Sequence, residues 1–115
     1  FQKGDLKSAE TLFKGLSIID HNNWYYRSAL GAIFQKQNDH QAAIAEYTTA
    51  LQINPDEPTS LLNRGECHIK QHDFDAALED FALLQRLPLA EDNPYKKRAR
   101  VLAEKILSEK DADSI

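Results

Sequence analysis

Residues Gly31 to Tyr47 read GAIFQKQNDHQAAIAEY: an apolar run is broken by a polar Gln-Asn-Asp-His turn and resumes with two alanines. The same figure occurs before it as GDLKSA (4–9) and after it as QHDFDAA (71–77). Asp5, Asp39 and Asp73 stand 34 residues apart, and so do Ala9, Ala43 and Ala77. Three turns in register at one period point to a repeated structural unit.

Around these turns the apolar residues recur at intervals of three and four, the helical period, and strand-like alternation is nowhere sustained. Pro55, Pro58, Pro88 and Pro94 fall between the periodic stretches. The pattern predicts an all-α chain with helices at about Asp5–Ile19, Trp24–Gln37, His40–Ile53, Glu57–Gln71, Phe74–Leu87 and Pro94–Glu109. Asn93 before Pro94 makes a good helix start, a capping side chain followed by a residue whose missing N–H is no loss there.

With 115 residues the chain is one small domain, and 42% hydrophobic with 28% charged residues is an ordinary globular balance. There is no apolar run of about 18 residues to span a membrane. The chain opens at Phe1 without a methionine and shows no secretory leader. A net charge of −4 argues against a nucleic-acid surface. The one basic cluster, Lys96-Lys97-Arg98 with Arg100, shares its helix with Glu104 and Glu109 and reads as a solvated face. A single cysteine excludes an intramolecular disulfide framework.

The 34-residue helix–turn–helix period resembles the tetratricopeptide repeat family, whose pattern runs W-x2-L-G-x2-Y, then A-x3-F, then P. From Trp24 the match is Leu30-Gly31-x2-Phe34, Ala43-x3-Tyr47 and Pro55; one period on it is Gly65-x2-His68, Ala77-x3-Phe81 and Pro88. One period back, Gly4 and Ala9-x3-Phe13 remain. The resemblance implies an α-solenoid of antiparallel helix pairs in a single domain. Residues 1–23 would be the second helix of a truncated first repeat, 24–57 and 58–91 complete repeats, and 92–115 a capping helix and tail. Helices approach to about 8–10 Å only where side chains are small. Gly31 and Gly65 are therefore expected to face Ala43 and Ala77, with Phe13, Phe34, Tyr47 and Phe81 filling the space between pairs.

Candidate chemistry is sparse. His68 and His72 lie at i and i+4 beside Cys67 and Asp73, a spacing that can present two imidazoles to a metal. His68 occupies an aromatic position of its repeat, however, and His72 falls in a turn where Gly4 and Asn38 stand in the others. No third ligand follows at a recognised spacing, so neither a metal nor a cofactor is expected. Cys67 shares its helix with Leu61, Leu62 and Ile69 and reads as core. Glu79-Asp80 and Glu91-Asp92 read as solvated faces or caps. No phosphate-binding or nucleophile-elbow string occurs, and the chain is not expected to be an enzyme.

What remains is a binding surface. In the family, groove-facing positions fall at the second, fifth, ninth and twelfth places of each first helix. By resemblance these are Tyr25, Ser28, Ala32 and Gln35, then Thr59, Leu62, Glu66 and Ile69. Phe1 would belong to the truncated repeat, and Lys96 and Arg100 would close the far end. Leu62 and Ile69 can equally be core. Members that clamp acidic chaperone tails use Lys, Asn and Arg at places held here by Ala29, Thr59 and Asn63, so only an asparagine fits. A small, partly apolar floor edged by Tyr25 suits an extended peptide with aliphatic or proline anchors.

A narrower resemblance rests on Leu16-Ser17-Ile18-Ile19-Asp20-His21, the aromatic residues after it, Leu30-Gly31-Ala32 and Gly65-Glu66-Cys67. These residues resemble the class II chaperones of bacterial type III secretion. The resemblance implies a cytoplasmic bacterial protein that holds hydrophobic translocator subunits in its concave groove before export. It also admits a homodimer. Pro55 departs toward the generic repeat, and the alternative is a scaffold or co-chaperone module of a longer protein that binds another peptide.

Overall fold

The computed structural model describes residues 3–113, which form six helices and, among the described residues, no strand. They are α1 (Lys3–Ile19), α2 (Trp24–Lys36), α3 (His40–Ile53), α4 (Pro58–Lys70), α5 (Phe74–Gln85) and α6 (Pro94–Asp113). The bounds follow from local chemistry. Asn23 accepts hydrogen bonds from the Tyr25 and Tyr26 amides, Glu57 from those of Thr59 and Ser60, and Asn93 from those of Tyr95 and Lys96. Each satisfies donors that a helix start leaves unpaired, and Pro58 and Pro94 follow as first helical residues.

The two turns that set the period are built alike. Asn38 and His72 take left-handed backbone angles (φ 63° and 60°), and the amide after each reaches back to the carbonyl five residues earlier, Asp39 to Phe34 and Asp73 to His68, both at 2.9 Å. This closes the preceding helix. Asp39 and Asp73 then cap the next one by accepting from the Ala42 and Ala76 amides. One aspartate therefore ends the turn and starts a helix. Gly4 and Asp5, which align with these turns, lie instead within the first turn of α1, where an acidic side chain favours the helix dipole.

Successive helices pack as pairs, α2 on α3 and α4 on α5, with α3 against α4 and α6 against α5; the first helices also touch, α2 with α4 and α4 with α6. The stack is elongated, 50 × 31 × 21 Å. Its core contains Leu51, Leu61, Leu62, Phe81, Leu84 and Ile106, and a smaller cluster joins Ala43, Tyr47 and Cys67. Ala43 and Ala77 are fully buried as expected. The glycines, however, face aromatic rings. A Cβ on Gly31 would meet the Tyr47 ring, and one on Gly65 the Phe81 ring. The reason is that an alanine four residues before the ring brings the second helix close enough for the ring to lie on the first helix's backbone.

Asp80 is a second departure. It is 3% exposed and accepts two bonds from Arg64, at 2.9 Å (Nε) and 2.6 Å (Nη2). Arg64 also donates to Thr48 Oγ1, and His68 Nε2 lies 3.7 Å from Asp80. A buried carboxylate held in a guanidinium fork, not a solvated face, joins α3, α4 and α5. No described helix is long and apolar enough to cross a membrane.

Candidate functional site

A groove of about 450 Å³ opens along α1, α2 and the start of α4. Its floor is made by the small side chains of Ala9, Ser28, Ala29 and Ala32, which leave space because nothing longer is present. Its walls are aromatic. Phe13 lies 6.5 Å from Tyr25 and 6.2 Å from Tyr26, and Trp24 lies 6.1 Å from Tyr25, rings edge-on or tilted as aromatic quadrupoles prefer. Tyr25 is 57% exposed and stands at the rim. Thr59 and Asn63 of α4 form the opposite side. Glu57 also lines the groove, but its carboxylate is occupied by the α4 amides and by the Ser60 hydroxyl at 3.0 Å. The result is an open, mainly apolar channel with hydrogen-bonding groups on one wall. That chemistry accommodates an apolar anchor of an extended chain.

The structure brings Tyr25, Ser28, Ala32 and Thr59 together in this lining, and with them the three clamp positions Ala29, Thr59 and Asn63. Other expected groove residues lie elsewhere. Gln35 accepts the Tyr47 hydroxyl at 2.8 Å and so ties α2 to α3. Leu62 is buried in the core, because that face of α4 turns toward its neighbours. Ile69 packs at the edge of the core and lines a second groove beside α6. Arg100 does not close the groove. It donates to Gln85 Oε1 and to the Glu91 carbonyl, while Lys96, buried, donates to the Leu89 carbonyl. Both cations stitch the α5–α6 link. Phe1 lies outside the described residues.

Glu66 is half-buried on α4; burial raises its carboxyl above the usual range, and Arg98 and Lys70 oppose the shift. Cys67 is fully buried, and burial, then the charge of Glu66, pushes its thiol to about 12. A thiol so protonated is a packing group and a poor nucleophile. Among the described residues no three His, Cys, Asp or Glu side chains gather to hold a metal ion.

Phe13, which sequence reasoning assigned to packing between pairs, is a wall of the groove, and Ala9, read only as a repeat position, is part of its floor. The Phe13 ring is half-buried and faces the groove.

Stacked helix pairs carrying a groove along one side define a helical-repeat binding protein. The chain belongs to the tetratricopeptide repeat family, whose model matches residues 34–104, more than half of its length. Its fold is that of the Yersinia enterocolitica type III secretion translocator chaperone SycD, with 24% identity, a TM-score of 0.88, and 96% of this chain covering 77% of that one. It is similar to Pseudomonas aeruginosa PcrH in complex with the chaperone-binding region of PopD, at 26% identity and TM-score 0.84 over 93% of this chain and 82% of that one. It is likewise similar to SycD in complex with a peptide of the translocator YopD, at 25% identity and TM-score 0.85 over 95% and 85% of the two chains.

Proposed function

We propose that this chain is a type III secretion chaperone that holds an extended hydrophobic segment of a translocator in the groove formed by α1, α2 and α4. The observation that carries the reading is an apolar, aromatic-walled groove in a chain that superposes on PcrH and SycD along more than nine-tenths of its length, both of those proteins having been crystallised with a translocator segment. In this reading Tyr25, Ser28, Ala32 and Thr59 contact the client directly. Glu66 acts farther along α4, and Gln35 and Leu62 act by holding the helices in place, while Ile69 and Arg100 lie outside this groove.

The reading makes the protein a binding module without catalysis, working in the bacterial cytoplasm before export. A homodimer is consistent with it, because SycD has also been crystallised as a dimer. The test is titration of a translocator's chaperone-binding segment into the full chain. Saturable binding that groove substitutions weaken is the expected result. A segment that binds the parent and the groove variants equally overturns the assignment of the groove.

A further inference from the structure

A second groove, of about 350 Å³, runs between the α4–α5 turn and α6. Its floor is Ile69, Phe74, Leu102 and Ile106. The repeat does not require that apolarity: one period earlier, the places of Ile69 and Phe74 are held by Gln35 and His40. Lys70 and Lys105 stand exposed on the rim, and neither has a carboxylate within ion-pair distance among the described residues. Glu109 is the single acid of the lining. His72 completes the rim from a left-handed backbone (φ 60°) that asparagine or glycine adopts more easily, its ring edge-on to Phe74 at 5.9 Å.

We propose that this groove docks a short acidic segment of a partner protein, one aliphatic side chain seated on Ile69, Phe74 and Leu102 and flanking carboxylates facing Lys70 and Lys105. The excess of cations at the rim, in a chain of net charge −4, selects acidic flanks over basic ones. The site lies at the opposite end of α4 from the translocator groove, so the two can be filled together.

The experiment uses two capped hexapeptides, a leucine pair flanked by glutamates and the same pair flanked by lysines, titrated into the full chain and followed by backbone amide shifts. The glutamate peptide is expected to shift the amides of residues 69–74 and 102–106 and to leave those of 25–32 in place. The lysine peptide is expected not to bind. Lys70→Glu with Lys105→Glu should weaken the glutamate peptide roughly tenfold, two exposed charges being worth about 0.5–1 kcal/mol each. Circular dichroism of the variant checks that it folds. Absence of shifts at millimolar peptide, equal binding of both peptides, or indifference to the charge reversal overturns the proposal.

Discussion

Gly31 lies flat against the ring of Tyr47: a Cβ built on it stands 2.6 Å from Tyr47 Cε1, inside any van der Waals contact. Tyr47 is fully buried and its hydroxyl is held by Gln35, so the ring cannot step aside. Gly31→Ala should therefore destabilise the fold by about 1–3 kcal/mol, although alanine is the better helix former by about 1 kcal/mol. In a Tyr47→Leu background the penalty should largely vanish. Gly15, with nothing within 4 Å of its Cβ position, is the control: Gly15→Ala should be neutral or stabilise by about 0.5–1 kcal/mol. Denaturant melts of the four variants decide it, and an unchanged midpoint for Gly31→Ala would contradict the contact.

Removing one partner of the Arg64–Asp80 fork should hurt more than removing both. Asp80→Ala leaves a largely buried guanidinium with only Thr48, at an expected cost of about 2–4 kcal/mol. The double change Arg64→Met, Asp80→Leu should recover most of that loss, since no charge is then stranded. Equal destabilisation by the single and double variants would show that the pair itself stabilises the stack.

Glu10 binds Lys14 at 2.7 Å and Gln37 at 3.1 Å, tying α1 to the α2–α3 turn. The hydrogen bond from Lys14, then that from Gln37, lowers its carboxyl below the usual 4.5. A depressed acid contributes stability above its unfolded value, and that contribution is lost as pH falls through the folded one. Glu10→Gln should thus melt below the parent at pH 7, and the gap should close as pH falls through the lowered folded value of the Glu10 carboxyl. A gap that widens on acidification would reverse the sign and exclude this role.

Tyr25→Ala should weaken a translocator segment about five- to thirtyfold, the ~1–2 kcal/mol of an aromatic anchor, with the melting temperature preserved because the ring is mostly exposed. Ala32→Glu should weaken it further by placing a charge where apolar anchors lie. Glu79→Lys, exposed on α5, should leave affinity near that of the parent. Loss of binding in Glu79→Lys alone would move the partner to the outer face.

The helices, the Asn93 start of α6 and the repeat were legible in the chain itself, because they depend on residues close in sequence. Asp39 and Asp73 cap the next helix from one position away, Asn93 and Pro94 start α6, and a 34-residue period needs no knowledge of what packs on what. The resemblance to translocator chaperones, read from Leu16–His21 and Gly65–Cys67, agrees with the solved structures that share this fold. Contacts between helices were not legible in the same way. A rotation of a few tens of degrees about a helix axis decides whether Leu62 faces the groove or the core, and whether Asp80 meets water or Arg64. Periodicity marks a face without naming its neighbour. Only tertiary packing decided that Gly31 takes the Tyr47 ring, that Phe13 opens into a groove, and that Lys96 and Arg100 are consumed by the α5–α6 link, because each depends on how closely two backbones approach.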